Sequence, residues 1–105
     1  MYLNSLNLIN FRNYDALYLE FNPKINQKIR KNGQGKTNIV ESIYLLSFGK
    51  SFRTNKDKEM IKFSSENLYI GGSFTKLSRN SLIEVGIGKN NKKGIILKYF
   101  KNIML

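Results

Sequence analysis

The sequence predicts an α/β fold, and three observations lead to that prediction. Segments in which polar and apolar residues alternate, the pattern of β-strands, occupy both the first and the last parts of the chain. One segment with a helical period lies between them and begins at Lys36. A loop that contains Gly33 and Gly35 directly precedes this helix. A strand, a glycine loop and a helix in this order form half of a mononucleotide-binding unit.

The part of the chain before the loop predicts three strands. Their expected bounds are residues 2–10, 16–21 and 25–29, with a turn at residues 11–14. Each of the first two shows apolar side chains at every second position, which predicts one buried face. Pro23 ends the second strand, because proline cannot donate a hydrogen bond to a neighbouring strand.

The helix is predicted from Lys36 to about Phe48. Its apolar face consists of Ile39, Ile43 and Leu46, which are spaced at i, i+4 and i+7. Gly49 is a natural C-terminal stop. After a basic segment, three further strands are expected at residues 68–77, 81–87 and 94–100, with a hairpin turn at residues 89–94.

Length and composition limit the possible functions. A chain of 105 residues allows one domain with one hydrophobic core, and its 41% hydrophobic content predicts a folded chain. The sequence contains neither cysteine nor histidine. This excludes a disulfide framework, a thiolate metal site and the Ser–His and Cys–His hydrolases.

The net charge of +11 predicts a polyanionic partner such as nucleic acid, nucleotide phosphates or an acidic membrane surface. Genome composition is the alternative explanation, because Lys outnumbers Arg by 14 to 4 and lysine codons are AT-rich. No apolar run reaches the ~20 residues of a membrane span. The N-terminus also lacks the basic region of a secretory signal. We therefore expect a cytoplasmic protein without a membrane partner.

The sharpest motif is Gly33-Gln34-Gly35-Lys36-Thr37, which matches the end of the phosphate-loop pattern GxxxxGK[ST]. Glycines let backbone N–H groups turn toward phosphate oxygens, and the start of the following helix adds further donors. In this pattern the lysine places its charge on the outer phosphates and the threonine hydroxyl binds Mg²⁺. Arg30 occupies the position of the first glycine. The alternative interpretation is an ordinary glycine turn before a helix.

Four stretches together resemble the RecF family of bacterial recombination and DNA-repair ATPases. They are residues 6–14, 32–46, 49–54 and 57–61, and their order and spacing agree with the family from residue 1 to about residue 70. The resemblance implies the N-terminal part of an ABC-type ATPase head. Residues 1–105 would then form a truncated head of antiparallel strands with the phosphate-loop strand and the first helix.

The resemblance also implies the site residues and the partners. The nucleotide-binding residues would be Arg30, Lys31, Asn32, Gly33, Gln34, Gly35, Lys36, Thr37 and Asn38, with Thr37 on Mg²⁺. Arg12 and Arg53 are candidate contacts to nucleotide or DNA, and for both the alternative is a solvated arginine. The family binds ATP and single-stranded or gapped DNA, forms ATP-dependent homodimers, and works with other mediator proteins in gap repair and SOS induction.

The chain departs from the family in two ways. Arg30 replaces a glycine, and Gln27 and Lys28 interrupt a strand that should be apolar throughout, so we expect ATP binding to be weakened or lost. The sequence also lacks the Walker B acid and the signature segment. We therefore expect no hydrolysis by this chain alone and assign no catalytic residue. Glu41 is interpreted as a solvated residue on the polar face of the helix.

Three alternatives remain open on the sequence alone. A small basic nucleic-acid-binding module would use some of the seven phenylalanines and six tyrosines for base stacking, although we interpret most of these as core residues. A relic of a decayed gene would account for the altered loop. A different SMC-like ATPase is the third alternative, against which the KSFRT sequence at residues 50–54 argues.

Overall fold

The structure is a computed structural model that describes residues 2–22 and 33–101. In this part of the chain the strands are β1 (Tyr2–Phe11), β2 (Tyr14–Glu20), β3 (Asn67–Lys76), β4 (Arg79–Gly88) and β5 (Lys93–Lys101). The α-helix is α1 (Gly33–Phe48), and a short 3-10 helix covers Asp57–Met60. The predicted third strand, residues 25–29, lies outside the described residues.

The strands form one antiparallel sheet in the order β2-β1-β3-β4-β5. The register places Leu8 opposite Ile70 and Ile70 opposite Val85. Side chains paired in this way point to the same face of a sheet, so these three form the centre of its buried face. The remaining members of the core cluster are Leu6, Phe11, Ile39, Leu45, Leu46, Met60, Ile61, Leu68, Phe74 and Ile87.

Helix α1 packs across this buried face, close to β3. A Cβ atom added to Gly72 would lie 2.5 Å from the Cδ1 atom of Leu46. The glycine therefore allows the helix to approach the strand more closely than any other residue would. This contact fixes the position of α1, and with it the position of the side chains at the start of the helix.

The first and last residues of the helix and strands can be compared with the predicted ones. Gly49 ends α1 as predicted, with φ +76° and its N–H donating to the carbonyl oxygen of Leu45 at 2.8 Å. The last three strands are also confirmed, within two residues at each end. Two boundaries were wrong. Strand β2 begins at Tyr14, where the Phe11–Tyr14 pairing closes a tight turn, and α1 begins at Gly33, three residues before Lys36.

The interpretation of the aromatic residues as mostly core residues was wrong for the described part of the chain. Only Phe11 and Phe74 are buried there, among residues 2–22 and 33–98. The exposed aromatic side chains are Tyr2, Tyr18, Phe48, Phe52 and Phe63. Only Tyr2 and Tyr18 of these lie on strands. Phe48 is the last residue of α1, and Phe52 and Phe63 lie outside the helices and strands, so the strand period gave no information on their burial.

Candidate functional site

The start of α1 has the properties of an anion-binding site. The first turn of an α-helix points its backbone N–H groups toward the start of the helix, which here is Gly33. The first turn contains no acidic residue that would offset the positive end of the helix dipole. The side chains of Lys36 and Thr37 are exposed. Three other predicted nucleotide-binding residues, Arg30, Lys31 and Asn32, lie outside the described residues.

Asn38, the last predicted nucleotide-binding residue, is buried and links two distant segments. Its Nδ2 donates to Oδ1 of Asn13 in the β1–β2 turn at 3.1 Å. Its Oδ1 accepts from Nη1 of Arg53 at 2.8 Å. Only 5% of Asn38 is exposed, so its side chain forms hydrogen bonds with these neighbours and has little contact with solvent. One side of the helix start is therefore joined to both segments that carry the candidate arginines.

Glu41, one turn further along the helix, brings the two candidate arginines together. Arg12 donates to its two carboxylate oxygens from Nε at 2.8 Å and from Nη2 at 2.6 Å. Arg53 donates from Nη1 to Oε1 at 3.2 Å. The hydroxyl of Ser51 donates to Oε2 at 2.6 Å. Below, the four side chains Arg12, Glu41, Ser51 and Arg53 are called the Glu41 cluster.

The interpretation of Glu41 as a solvated residue was wrong, because its side chain is fully buried. Arg12 and Arg53 both pair with Glu41, and their side chains are 21% and 31% exposed. The helical spacing places Glu41 on the same face as Asn38. The spacing of Asn38 and Glu41 in the sequence could therefore have indicated that Glu41 belongs to the site. No local feature of the sequence indicated that Ser51 or Asn13 belongs to it.

The β1–β2 turn holds Arg12 in place through its backbone as well as its side chain. Arg12 has φ +54°, a left-handed conformation that costs about 1–2 kcal/mol for a residue other than glycine. Its N–H donates to the carbonyl oxygen of Met60 at 2.7 Å, and its Nη1 donates to the carbonyl oxygen of Glu59 at 3.2 Å. The neighbouring Phe11 is fully buried. These contacts compensate the strained backbone and aim the guanidinium at Glu41.

The electrostatics of the Glu41 cluster favour a charged carboxylate. Burial by itself raises the pKa of Glu41, but the hydrogen bonds from Arg12 and Ser51 and the charges of Arg12 and Arg53 outweigh it, and the pKa is lower than usual. The hydrogen bond with Glu41 in turn raises the pKa of Arg12. Two guanidinium groups face one carboxylate, so the Glu41 cluster keeps an excess positive charge beside the start of α1.

The lowered pKa of Glu41 predicts a pH-dependent contribution to stability. This contribution is complete above the ordinary value of 4.5 and is lost as the pH falls through the lower pKa of the folded state. Glu41→Gln should reduce the free energy of unfolding by about 1–3 kcal/mol at pH 7. The difference from the wild-type chain should shrink as the pH falls below about 4. Urea unfolding at several pH values measures this, with Glu66→Gln at an exposed position as the control. A difference that stays constant down to pH 3 would contradict the prediction.

The described residues also limit how a Mg²⁺ ion could be held. Within residues 2–22 and 33–101, no group of three or more acidic side chains is placed to hold a metal ion. The Thr37 hydroxyl is exposed at the start of α1 and is a suitable oxygen ligand. A magnesium ion at this position fits only if phosphate oxygens and water supply the other ligands, as is usual for this ion. Across the same residues, no helix is long and apolar enough to cross a membrane.

The amino-acid sequence of the chain is highly similar to curated proteins that share one name. The chain is 73% identical over 95 residues to a DNA replication and repair protein RecF of Clostridioides difficile (strain 630), covering 90% of this chain. It is 48% identical over 101 residues to a protein of the same name from Clostridium botulinum (strain Loch Maree / Type A3), covering 96% of this chain. The chain spans 25% and 28% of the lengths of these two relatives. No family model matches the chain.

Solved structures agree with the sequence relatives. The structure is similar to the recombination mediator protein RecF-ATPrS in the RecFOR pathway, with a TM-score of 0.73 and 34% identity. The corresponding RecF-ATP structure gives a TM-score of 0.74 and 32% identity. Both matches cover 95% of this chain and 28% of the neighbour. The predicted ABC-ATPase-like fold class is thereby confirmed for the N-terminal part. The chain therefore belongs to the RecF family, of whose members it matches the N-terminal part.

Proposed function

We propose that this chain forms the ATP-binding part of a RecF-type DNA replication and repair protein. One observation carries the proposal. The buried Glu41 gathers Arg12 and Arg53 beside Asn38, which directly follows the Gly33–Thr37 motif. The similarity to the RecF-ATP and RecF-ATPrS structures supports the same ligand.

The roles of the individual residues follow from their chemistry. N–H groups of residues 33–36 would receive phosphate oxygens, and the exposed Lys36 would add a charge on the outer phosphates. The Thr37 hydroxyl would bind Mg²⁺ together with those phosphates. The excess charge of the Glu41 cluster supports a phosphate contact of Arg12 or Arg53, either to the nucleotide or to DNA.

The wider activity is proposed from the family. We place the chain in the cytoplasm, in a protein that binds single-stranded or gapped DNA, forms ATP-dependent homodimers, and acts with other mediator proteins in gap repair and SOS induction. The net charge of +11 supports a nucleic-acid partner. Arg30 stands at the first glycine position of the pattern, and we infer from this departure that ATP binding is weakened.

A titration with a fluorescent ATP analogue and Mg²⁺ tests both the nucleotide site and its weakening. We expect the native chain to bind in the millimolar range or weaker, and Arg30→Gly to bind at least about tenfold more tightly, since 1.4 kcal/mol is a factor of ten. Lys36→Ala in the Arg30→Gly background should abolish the binding. Lys58→Ala, in the exposed 3-10 helix, is the matched control.

The position of the nucleotide site and its weakening by Arg30 would be contradicted by different results. Micromolar binding by the native chain that Lys36→Ala removes would contradict the weakening by Arg30. Binding by Arg30→Gly that Lys36→Ala leaves unchanged would contradict the assignment of the nucleotide site to the Gly33–Thr37 motif.

A further inference from the structure

We propose that two copies of this chain pair along strand β5 about a two-fold axis, so that their sheets join into one continuous antiparallel sheet. This interface is separate from the nucleotide site and does not need ATP, so the inference goes beyond the proposed function. Strand β5 (Lys93–Lys101) is the last in the order β2-β1-β3-β4-β5. Among residues 2–22 and 33–101 it pairs with β4 alone, which leaves one side of its backbone without a neighbouring strand.

The free side of β5 is complementary to another extended strand. A row of N–H and C=O groups at the edge of a sheet is a template for pairing with a further chain. A second copy of β5 offers the same row in the opposite direction, and two identical antiparallel strands are self-complementary about a two-fold axis. Proteins often prevent such pairing with a proline or a bulge at the edge. Strand β5 contains no proline, and its pairing with β4 is regular along its whole length.

Lysines are another common protection of an edge strand, but two lysines of β5 already have partners within the chain. Nζ of Lys93 lies 3.0 Å from Oδ2 of Asp57 and also donates to the carbonyl oxygen of Gly49. Nζ of Lys98 lies 3.2 Å from Oε1 of Glu84. The charges of both lysines are therefore partly offset inside each copy, and they oppose the approach of a second copy less than unpaired lysines would.

Three consecutive apolar residues in the middle of β5 favour the pairing. Ile95, Ile96 and Leu97 are 54%, 53% and 49% exposed. Ile95 lies opposite the buried Val85, so Ile95 and Leu97 are on the helix-facing side of the sheet and Ile96 is on the other side. A second strand beside β5 would cover apolar surface on both sides of the sheet, which is favourable because this surface is now in contact with water.

The sequence of β5 selects one register for this pair. Residues opposite each other in antiparallel strands share a face of the sheet, so the two-fold axis must pass between two copies of the same residue. With the axis at Ile96, Ile95 of one copy lies opposite Leu97 of the other, and Gly94 lies opposite Lys98. The apolar residues then meet one another, and no lysine within residues 93–99 faces another lysine.

The neighbouring registers bring like charges together. An axis at Ile95 would place Lys92 opposite Lys98. An axis at Leu97 would place Lys93 opposite Lys101. Like charges directly opposite each other are unfavourable in a sheet. The charge pattern therefore favours the register centred on Ile96.

The other edge of the sheet is less suited to self-pairing. Strand β2 (Tyr14–Glu20) is shorter, with seven residues, and carries the acidic residues Asp15 and Glu20 near its two ends. The side chain of Asp15 is 87% exposed although it pairs with Lys62. Pairing of β2 with β5 of another copy would be heterologous and would extend into an open fibre instead of closing as a dimer. We therefore assign the interface to β5 in both copies.

Sedimentation equilibrium of the 105-residue chain without nucleotide tests the inference. The weight-average mass should rise from 12.2 kDa toward twice that value as the protein concentration is raised through the micromolar range. Ile96→Lys should keep the mass at that of one chain, because it places two lysines opposite each other at the axis. Tyr18→Lys is the matched control. It adds the same charge at an exposed position on the same row of the sheet, at the other edge, and should leave the dimer unchanged.

A single introduced cysteine tests the register, since the sequence has none of its own. Ile96→Cys should form a disulfide-linked dimer with oxidised glutathione as the oxidant. The opposed Cα atoms of an antiparallel pair are about 4.5–5.5 Å apart, which is within the range of a disulfide. Tyr18→Cys should form much less of this product under the same conditions. This measurement does not depend on the folding of Ile96→Lys, which circular dichroism checks.

The outcomes also separate this inference from the proposed function. A single-chain mass at all concentrations, assemblies larger than a dimer, or equal cross-linking of the two cysteine variants would overturn the β5 interface. Lys36→Ala should form the dimer as the wild-type chain does. A dimer that appears only with ATP, or that Lys36→Ala abolishes, would be the ATP-dependent homodimer of the proposed function and would likewise overturn the β5 interface. Failure of ATP binding with the dimer retained would contradict the proposed function alone.

Discussion

Glu41→Ala is expected to lower the free energy of unfolding by about 3–5 kcal/mol, because it leaves two partly buried arginines without their carboxylate. The same change leaves the hydroxyl of Ser51 without its acceptor and removes a link between α1, the β1–β2 turn and residues 50–54. Single domains have a stability of only about 5–15 kcal/mol, so this loss is a large fraction of the total. Urea unfolding followed by circular dichroism measures it.

The control for this prediction is Glu66→Ala, which truncates the same side chain at an exposed position. It should change the free energy of unfolding by less than about 0.5 kcal/mol. If Glu41→Ala prevents folding altogether, Glu41→Gln provides the milder measurement at neutral pH. A loss no larger than that of Glu66→Ala would show that the Glu41 cluster contributes nothing net to stability.

Phe11→Ala is expected to cost about 3–5 kcal/mol of unfolding free energy, because it empties a fully buried ring position in the core. Phe11 ends β1, and its backbone pairs with Ile61 in an isolated antiparallel bridge. The next residue is Arg12, in its left-handed conformation. The cavity would therefore weaken the turn that aims Arg12 at Glu41, in addition to the core. Urea unfolding of the purified variant gives the value.

Phe63→Ala serves as the control for Phe11→Ala, since Phe63 is 90% exposed and the same atoms are removed. It should stay within about 0.5 kcal/mol of the wild-type chain. Phe11→Leu should fall between the two, because it keeps part of the buried volume. A loss below about 1 kcal/mol for Phe11→Ala would contradict the position of this ring in the core.

The local features of this chain were predicted from its sequence because each depends on residues that are near one another. The apolar spacing predicted α1, and Gly49 marked its end, since a glycine readily adopts the positive φ found there. The alternating segments predicted β1 to β5, because one face of the sheet is buried and the other is not. The Gly33–Thr37 motif, with the stretches around it, identified the family.

Only the tertiary structure decided how the charged residues are used. Arg12 and Glu41 are 29 positions apart, and Glu41 and Ser51 are 10 apart, so no local period relates them. Their meeting depends on the close packing of α1 at Gly72 and on the turn that Phe11 and Met60 hold in place. A glutamate in a helix is usually solvated. Here the surrounding arginines make its burial favourable, because charge-assisted hydrogen bonds replace the water that the carboxylate loses.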